Sequence, residues 1–180
     1  FGGKNMLRII LSGCMGKMGR VIISETQKND DFKVVAGVDK MAKNACGFNP
    51  QSLEVVKKIK EMGLKVVLAT NPIFPRIATE KRIKWAGLSP DLFEIVTTYE
   101  NSRFCKPNLN YYKDVISRLG VSPKECLMVG NDVGEDMVAK NLGAKVFLLT
   151  DCIINKTEFS PSDFPHGGFD DLIKFIEELD

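Results

Sequence analysis

Asp132 and Asp136 stand four residues apart in Gly130-Asn131-Asp132-Val133-Gly134-Glu135-Asp136, directly after the apolar run Cys126 to Val129. An Asp at a strand end with a second Asp four residues on can hold one Mg²⁺ between a loop and the first turn of a helix. Two pieces of related chemistry lie upstream. Thr70 and Asn71 close the run Val66-Val67-Leu68-Ala69, and a hydroxyl beside an amide at a strand end donates well to a phosphoryl oxygen. Lys106, in Cys105-Lys106-Pro107, is a point cation of the kind that suits the spread charge of a phosphoryl-transfer transition state. Singly, each has a plainer reading: turn chemistry at Thr-Asn-Pro, one surface lysine among many, and acids placed at a helix start. Missing from all 180 residues is an Asp-x-Asp pair, which such a site would use as nucleophile and acid.

A second candidate lies near the front. Gly13, Gly16 and Gly19, in Gly13-Cys14-Met15-Gly16-Lys17-Met18-Gly19-Arg20, follow one strand pattern and open a helix pattern. Glycines there let the chain turn sharply and let a phosphate approach amides at a helix N-terminus. Asp39 ends the next strand, where a carboxylate can accept from a ribose hydroxyl.

The elements that must position these residues alternate. Leu7–Ser12 reads as a strand, Gly16–Lys28 as a helix and Phe32–Val38 as a strand, followed by an irregular stretch to Pro50. Helix Gln51–Met62 ends at Gly63, a plausible residue just past a helix end. Then come strand Leu64–Ala69, helix Pro75–Ala86, strand Glu94–Thr97, helix Asn108–Leu119 stopped by Gly120, and strand Cys126–Val129. Helix Gly134–Leu142, strand Lys145–Leu149 and amphipathic helix Asp170–Leu179 complete the pattern. Such alternation predicts a parallel, doubly wound α/β sheet.

Composition sets the outer bounds. A hydrophobic content of 44% and a charged content of 27% are those of a soluble globular domain. No apolar run approaches membrane-span length, and Leu7–Ser12 is too short for a signal peptide, so a cytoplasmic protein without membrane partners is expected. Five cysteines (Cys14, Cys46, Cys105, Cys126, Cys152) form no metal spacing and read as reduced thiols. Residues 1–45 carry eight Lys/Arg against four Asp/Glu, and the remainder seventeen against nineteen. Without an aromatic-basic face this excess reads as solvated surface rather than as a nucleic-acid footprint. The chain begins at Phe1, and residues 1–5 ahead of Met6 read as a tag scar or upstream read-through.

The wording of Leu7–Asp39 resembles the N-terminus of bacterial dihydrodipicolinate reductases, over about a fifth of the chain. The resemblance implies a βαβ unit for NAD(P), over residues 6–45, with Gly13, Gly16 and Gly19 facing the pyrophosphate and Asp39 the adenine ribose. That family's substrate domain, with its paired histidines and lysine, is missing. The only histidine, His166, reads as a surface turn residue, so reductase activity is not expected.

From Cys46 onward, residues 46–180 resemble the haloacid dehalogenase (HAD) superfamily of phosphohydrolases, in wording and in spacing. The resemblance implies a Rossmann-like sheet of HAD type, packed as one domain with residues 6–45, and Mg²⁺-dependent hydrolysis of a phosphorylated small molecule. It assigns Thr70 and Asn71 to the phosphoryl oxygens, Lys106 to phosphate and catalysis, and Asp132 and Asp136 to the metal, with Glu135 as an alternate. The family's nucleophile strand and its substrate-selecting cap have no counterpart here. By chain order Phe32–Val38 is the replacement for that central strand, followed by a loop, a helix and the Thr70 strand, as a right-handed crossover requires. Asp39 would then be a surrogate nucleophile, while Met41, two residues on, cannot donate a proton. The expectation is a preserved Mg²⁺ and phosphate pocket with degenerate chemistry. Two alternatives stand beside it: a non-catalytic NAD(P)-binding module, and a chimeric open reading frame without evolved activity.

Overall fold

The structure, a computed structural model, describes residues 49–179 in full and the backbone of the strands at 7–12 and 32–38. The expected helix Gly16–Lys28, Gly13, Gly16, Gly19, Asp39 and Met41 all lie outside the described residues. The chain divides into two compact units, Phe1–Asn49 and Pro50–Asp180. In the first, β1 (Leu7–Ser12) and β2 (Phe32–Val38) pair in parallel, with a register shift between Ile9 and Ile10. A parallel pair joined by a long connection is what the sequence pattern predicts.

The second unit carries α1 (Gln51–Glu61), β3 (Val67–Leu68), α2 (Arg76–Trp85), β4 (Ile95–Val96) and α3 (Leu109–Leu119). β5 (Leu127–Gly130), β6 (Lys145–Leu149), β7 (His166–Gly167) and α4 (Phe169–Glu177) follow. The local causes are ordinary ones. Asn108 caps α3 by accepting from the Asn110 amide, and Gly120 (φ 69°) supplies the left-handed residue that stops it. Gly63 does the same after α1, at φ 81°. Leu172, Ile173 and Ile176 put a buried stripe on α4 at helical spacing.

Helices cover both faces, and every described strand pair is parallel. On one face, α3 gives Tyr111, Tyr112, Val115 and Ile116 to a core with Val133, Met137, Val146, Leu148 and Phe164. On the other, Phe147 packs with Leu172 and Ile176 of α4, against Val55 and Ile59 of α1 and Leu127 and Val129 of β5. The parallel α/β class expected from the alternation is therefore the class observed.

The sheet of this unit is not continuous. β3 pairs with β4, and β5 pairs with β6, which pairs with β7; no ladder among the described residues joins β3 to β5. Their free edges can be read from the hydrogen bonds. Carbonyls of Val66 and Leu68 accept from β4-side amides, so strand alternation turns the backbone groups of Val67 and Ala69 the other way. The Cys126 carbonyl accepts from Lys145, which turns those of Leu127 and Val129 away from β6. Val67, Ala69 and Met128 nonetheless pack against the same core. β5 is half-buried along its length, whereas Val146, Phe147 and Leu148 of β6 are 7%, 2% and 0% exposed. A central strand is normally the more buried of two neighbours, so β5 stands as an edge among the described residues.

Three expectations are corrected. The strand expected over Leu64–Ala69 holds two laddered residues, Val67 and Leu68, and among the described residues it pairs with β4 alone. The helix expected over Gly134–Leu142 is a turn followed by a 3-10 segment, Met137–Leu142, ended by Gly143. The Asp132 side chain takes the Gly134 and Glu135 amides there, which leaves no regular helical first turn. His166 is exposed but lies in a strand, β7, with its Nδ1 against the Phe164 carbonyl at 2.8 Å.

Candidate functional site

Thr70, Asn71, Lys106, Asp132, Glu135 and Asp136 come from three segments that end on the same side of the second unit. Thr70 follows β3. Its hydroxyl donates to the Thr97 carbonyl at 3.2 Å, so it is engaged with the β4 end. Its carbonyl accepts from the Tyr111 hydroxyl at 2.6 Å and from Thr97 Oγ1 at 2.9 Å. Asn71 reaches across the sequence, its Nδ2 donating to both Glu135 carboxylate oxygens at 3.2 Å. Asn71 Oδ1 is buried without a partner. A buried polar atom without a hydrogen bond is costly, and marks a place where a ligand, water or ion fits.

Lys106 Nζ stands 2.6 Å from Asp136 Oδ1, with the two side chains 6% and 7% exposed. The ammonium also lies 5.9 Å and 6.0 Å from the ring centres of Tyr111 and Tyr112. The other Asp136 oxygen accepts from the Asp132 amide at 3.0 Å. Room for that carboxylate exists because residue 130 is glycine: a Cβ there would sit 2.1 Å from Asp136 Oδ2. Asp132 Oδ1 accepts from the Gly134 and Glu135 amides, both at 2.9 Å, which leaves Oδ2 for another partner. The loop is braced from behind by Asn131 Nδ2 on the Cys152 carbonyl, by the Val133 amide on the Ile154 carbonyl and by the Ile154 amide on the Asn131 carbonyl.

The structure thus brings Asn71 to Glu135 and Lys106 to Asp136, each pair from distant parts of the chain. It commits both Asp136 oxygens to protein donors, and leaves Asp132 Oδ2 and Asn71 Oδ1 as the uncommitted acceptors. Sequence reasoning missed Tyr111, Tyr112 and Thr97. The Tyr112 hydroxyl donates to the Glu135 carbonyl, and Thr97, fully buried, lies 3.0 Å from the Tyr111 hydroxyl. Adjacent tyrosines at the start of a helix read simply as core, and their hydroxyls gave no separate signal. Burial, with the Asp136 carboxylate adding to it, pushes both phenols well above their ordinary value of 10.0, while the Thr97 hydroxyl partly offsets this at Tyr111. Both therefore remain donors across the physiological range.

The loop carries three carboxylates, Asp132, Glu135 and Asp136, of which Asp136 is paired with the Lys106 ammonium, and the unpaired negative charge suits a divalent cation. Among the described residues no three His, Cys, Asp or Glu side chains converge as a metal cage. Mg²⁺ does not need one, since it is usually held by one or two carboxylates, waters and substrate phosphate. The donor set fits it on those terms. No described helix is long and apolar enough to cross a membrane.

Comparison with known proteins defines the class. The family model for haloacid dehalogenase-like hydrolases matches residues 12–149, and the chain belongs to that family. It is similar to YhcW of Bacillus subtilis, 31% identical over 104 residues covering 58% of this chain and 46% of that protein. It is also similar to the glyceraldehyde 3-phosphate phosphatase of Methanocaldococcus jannaschii, 28% identical over 132 residues covering 72% of this chain and 57% of the enzyme. The chain thus spans about half the length of these relatives. A solved structure of YfnB from Bacillus subtilis, bound to magnesium, has a TM-score of 0.59 and 18% identity, covering 71% of this chain and 55% of that one. A separate likeness runs to 4-hydroxy-tetrahydrodipicolinate reductase of Caldanaerobacter subterraneus, 54% identical over 35 residues, or 19% of this chain and 14% of the reductase. The front-end resemblance seen in the sequence is therefore real, and it is confined to a short segment.

Proposed function

We propose that the chain is a Mg²⁺-dependent phosphomonoester hydrolase of the HAD type, acting on a phosphorylated small molecule with degenerate chemistry. The observation that supports this reading most is the meeting of Asn71 with Glu135 and of Lys106 with Asp136, which gathers phosphate donors and metal acceptors in one place. In this reading Asn71 Nδ2 and the Thr70 hydroxyl exchange their bonds to Glu135 and the Thr97 carbonyl for phosphoryl oxygens. Lys106 offsets their charge while Asp136 holds its ammonium in position. Asp132, through Oδ2, holds Mg²⁺ together with Asp136 or its neighbour Glu135. Bound Mg²⁺ would supply charge neutralisation at the phosphoryl group.

Hydrolysis through a covalent intermediate needs a carboxylate nucleophile and an acid. The chain has no Asp-x-Asp, so Asp39 is proposed as a surrogate nucleophile without a partner acid, and turnover is slow. Phosphate release from phenyl phosphate, with and without MgCl₂, tests the reading. Slow Mg²⁺-dependent release is expected, abolished by Asp132→Asn and by Asp39→Asn. Release unaffected by either substitution would sink it.

The parallel β1–β2 pair and the 35-residue likeness to a reductase favour a second reading for the first unit. Gly13, Gly16, Gly19 and Asp39 would form a non-catalytic NAD(P) site. NADPH fluorescence should then change saturably on addition of the protein, and Gly16→Val should remove the change; a flat titration excludes it.

A further inference from the structure

Of the three carboxylates in the loop, two are tied down and one is not. Asp136 gives one oxygen to the Lys106 ammonium at 2.6 Å and the other to the Asp132 amide at 3.0 Å. Asp132 gives Oδ1 to two amides, both at 2.9 Å. Among the described residues no Lys or Arg bridges to Glu135. Its carboxylate is held by the Asn71 amide nitrogen, shared between the two oxygens at 3.2 Å each. A neutral donor split between two acceptors at that distance is the weakest hold of the three. The backbone of Glu135 is pinned at both ends, its amide to Asp132 Oδ1 and its carbonyl to the Tyr112 hydroxyl. What can turn is the side chain.

Asn71 is held without being satisfied. Its Nδ2 faces Glu135 while its Oδ1 is buried with no partner. Turning the amide over would set Oδ1 against the carboxylate, so Glu135 itself keeps the donor on this side. A carboxylate presents two anionic oxygens side by side, as a phosphoryl group does, and both accept from the same donors. The nitrogen assigned above to a phosphoryl oxygen is thus already occupied by an anion of the chain's own. Asp132 Oδ2, three residues before Glu135, is an uncommitted acceptor in the same turn.

We propose that Glu135 closes the anion seat at Asn71 when no metal is bound, and opens it by turning to a divalent cation held at Asp132 Oδ2. The proposal rests on the phosphate-site reading above and adds to it an order of binding, cation before anion, with Glu135 as the positioning residue that enforces it. A divalent cation is a stronger partner for a carboxylate than a shared neutral amide, and one or two carboxylates suffice for Mg²⁺. Asp136 cannot take this part, because turning away from Lys106 would strand a buried ammonium.

Titration calorimetry of the full chain with inorganic phosphate, in EDTA and then in MgCl₂, measures the competition. In EDTA, Glu135→Ala and the same-length Glu135→Gln should both bind phosphate more tightly than the unaltered chain. The alanine variant should gain about tenfold, the equivalent of one charge-assisted hydrogen bond. In an Asn71→Ala background, Glu135→Ala should change the affinity by less than about twofold. Unchanged or weaker binding by Glu135→Ala, with phosphate still bound in MgCl₂, would overturn the proposal alone. A gain that persists without Asn71 would reduce Glu135 to a repelling charge and overturn it too. No binding of phosphate in either buffer would overturn the site reading and the proposal together. The second measurement is made without phosphate. MgCl₂ should move the side-chain amide NMR signals of Asn71 toward their positions in Glu135→Ala, along with the signal of the Gly134 amide that bonds to Asp132. A Gly134 signal that moves while those of Asn71 stay still would show that the cation binds without freeing the seat, and would overturn the order of binding.

Discussion

Replacing Lys106 by Met should be among the most damaging single changes in the second unit. The ammonium and the Asp136 carboxylate are 2.6 Å apart and almost wholly removed from water. Met preserves the aliphatic stem against Tyr111 and Tyr112 and deletes only the charge. The substitution leaves a buried carboxylate with the Asp132 amide as its remaining partner. Removing one member of a buried pair costs about 3–5 kcal/mol, because the surviving charge is uncompensated. Against a typical stability of about 5–15 kcal/mol, that leaves a marginal domain. With a urea m-value of about 2 kcal/mol/M, the unfolding midpoint should fall by about 2 M. A second variant isolates the cause. Asp136→Asn in the Lys106→Met background removes the stranded charge, while the amide oxygen can still accept from Asp132. The double variant should recover about 2 kcal/mol relative to Lys106→Met alone, a coupling within the range seen for contacting residues. A midpoint shift under about 0.5 M for Lys106→Met, with no recovery in the double variant, would refute the argument: the pair would then not be closed and dry in solution.

Other substitutions test neighbouring parts of the same arrangement. Gly130→Ala places a methyl against the Asp136 side chain and should cost about 1–3 kcal/mol in urea unfolding, a cost that should persist in an Asp136→Ala background, whose Cβ would still lie 2.6 Å away, and largely vanish in an Asp136→Gly one. Tyr111→Phe deletes the hydroxyl on the Thr70 carbonyl and should cost about 1 kcal/mol, seen calorimetrically as a fall in Tm of about 4 °C. Glu100 is held below its ordinary value of 4.5, first by the Arg76 amide and then by the Thr98 side chain. Its contribution is present above that ordinary value and is lost as pH falls through the lowered one. The Arg76 amide shift, followed by NMR, should therefore titrate with a midpoint below 4.5, and a midpoint at or above that value would show that the bond is not made.

How much of this was legible in the sequence depended on what each feature rests on. β6 was read at its observed limits because a continuous apolar run marks it, and α3 within one residue because a helical hydrophobic period and the Gly120 stop mark it. The Asp132 turn was misread as helix, since Asp, Gly and Glu at that spacing serve equally as a helix start and as a side-chain-capped turn. The sequence placed Thr70, Asn71, Lys106 and Asp132 at element ends near one another. Which side chain faces which is decided by packing: the 2.6 Å approach of Lys106 to Asp136 depends on the missing Cβ of Gly130, far from Lys106 in sequence. The roles of Tyr111 and Tyr112 were invisible for a related reason, because apolar rings and polar hydroxyls are written with the same letter.

The interruption between β3 and β5 gives that tyrosine pair a mechanical meaning. A continuous sheet fixes the spacing of its strands by backbone ladders, but among the described residues these two halves share none. What spans them is the first turn of α3. Tyr111 fastens its hydroxyl to the Thr70 carbonyl on one half, and its neighbour Tyr112 fastens to the Glu135 carbonyl on the other. α3 is thus a yoke across a seam. Among the described residues, the bonds that tie the Asn71 end to the Glu135 end from beneath are these two phenol hydrogen bonds, so α3 reaches both sides of the opening that Asn71 spans.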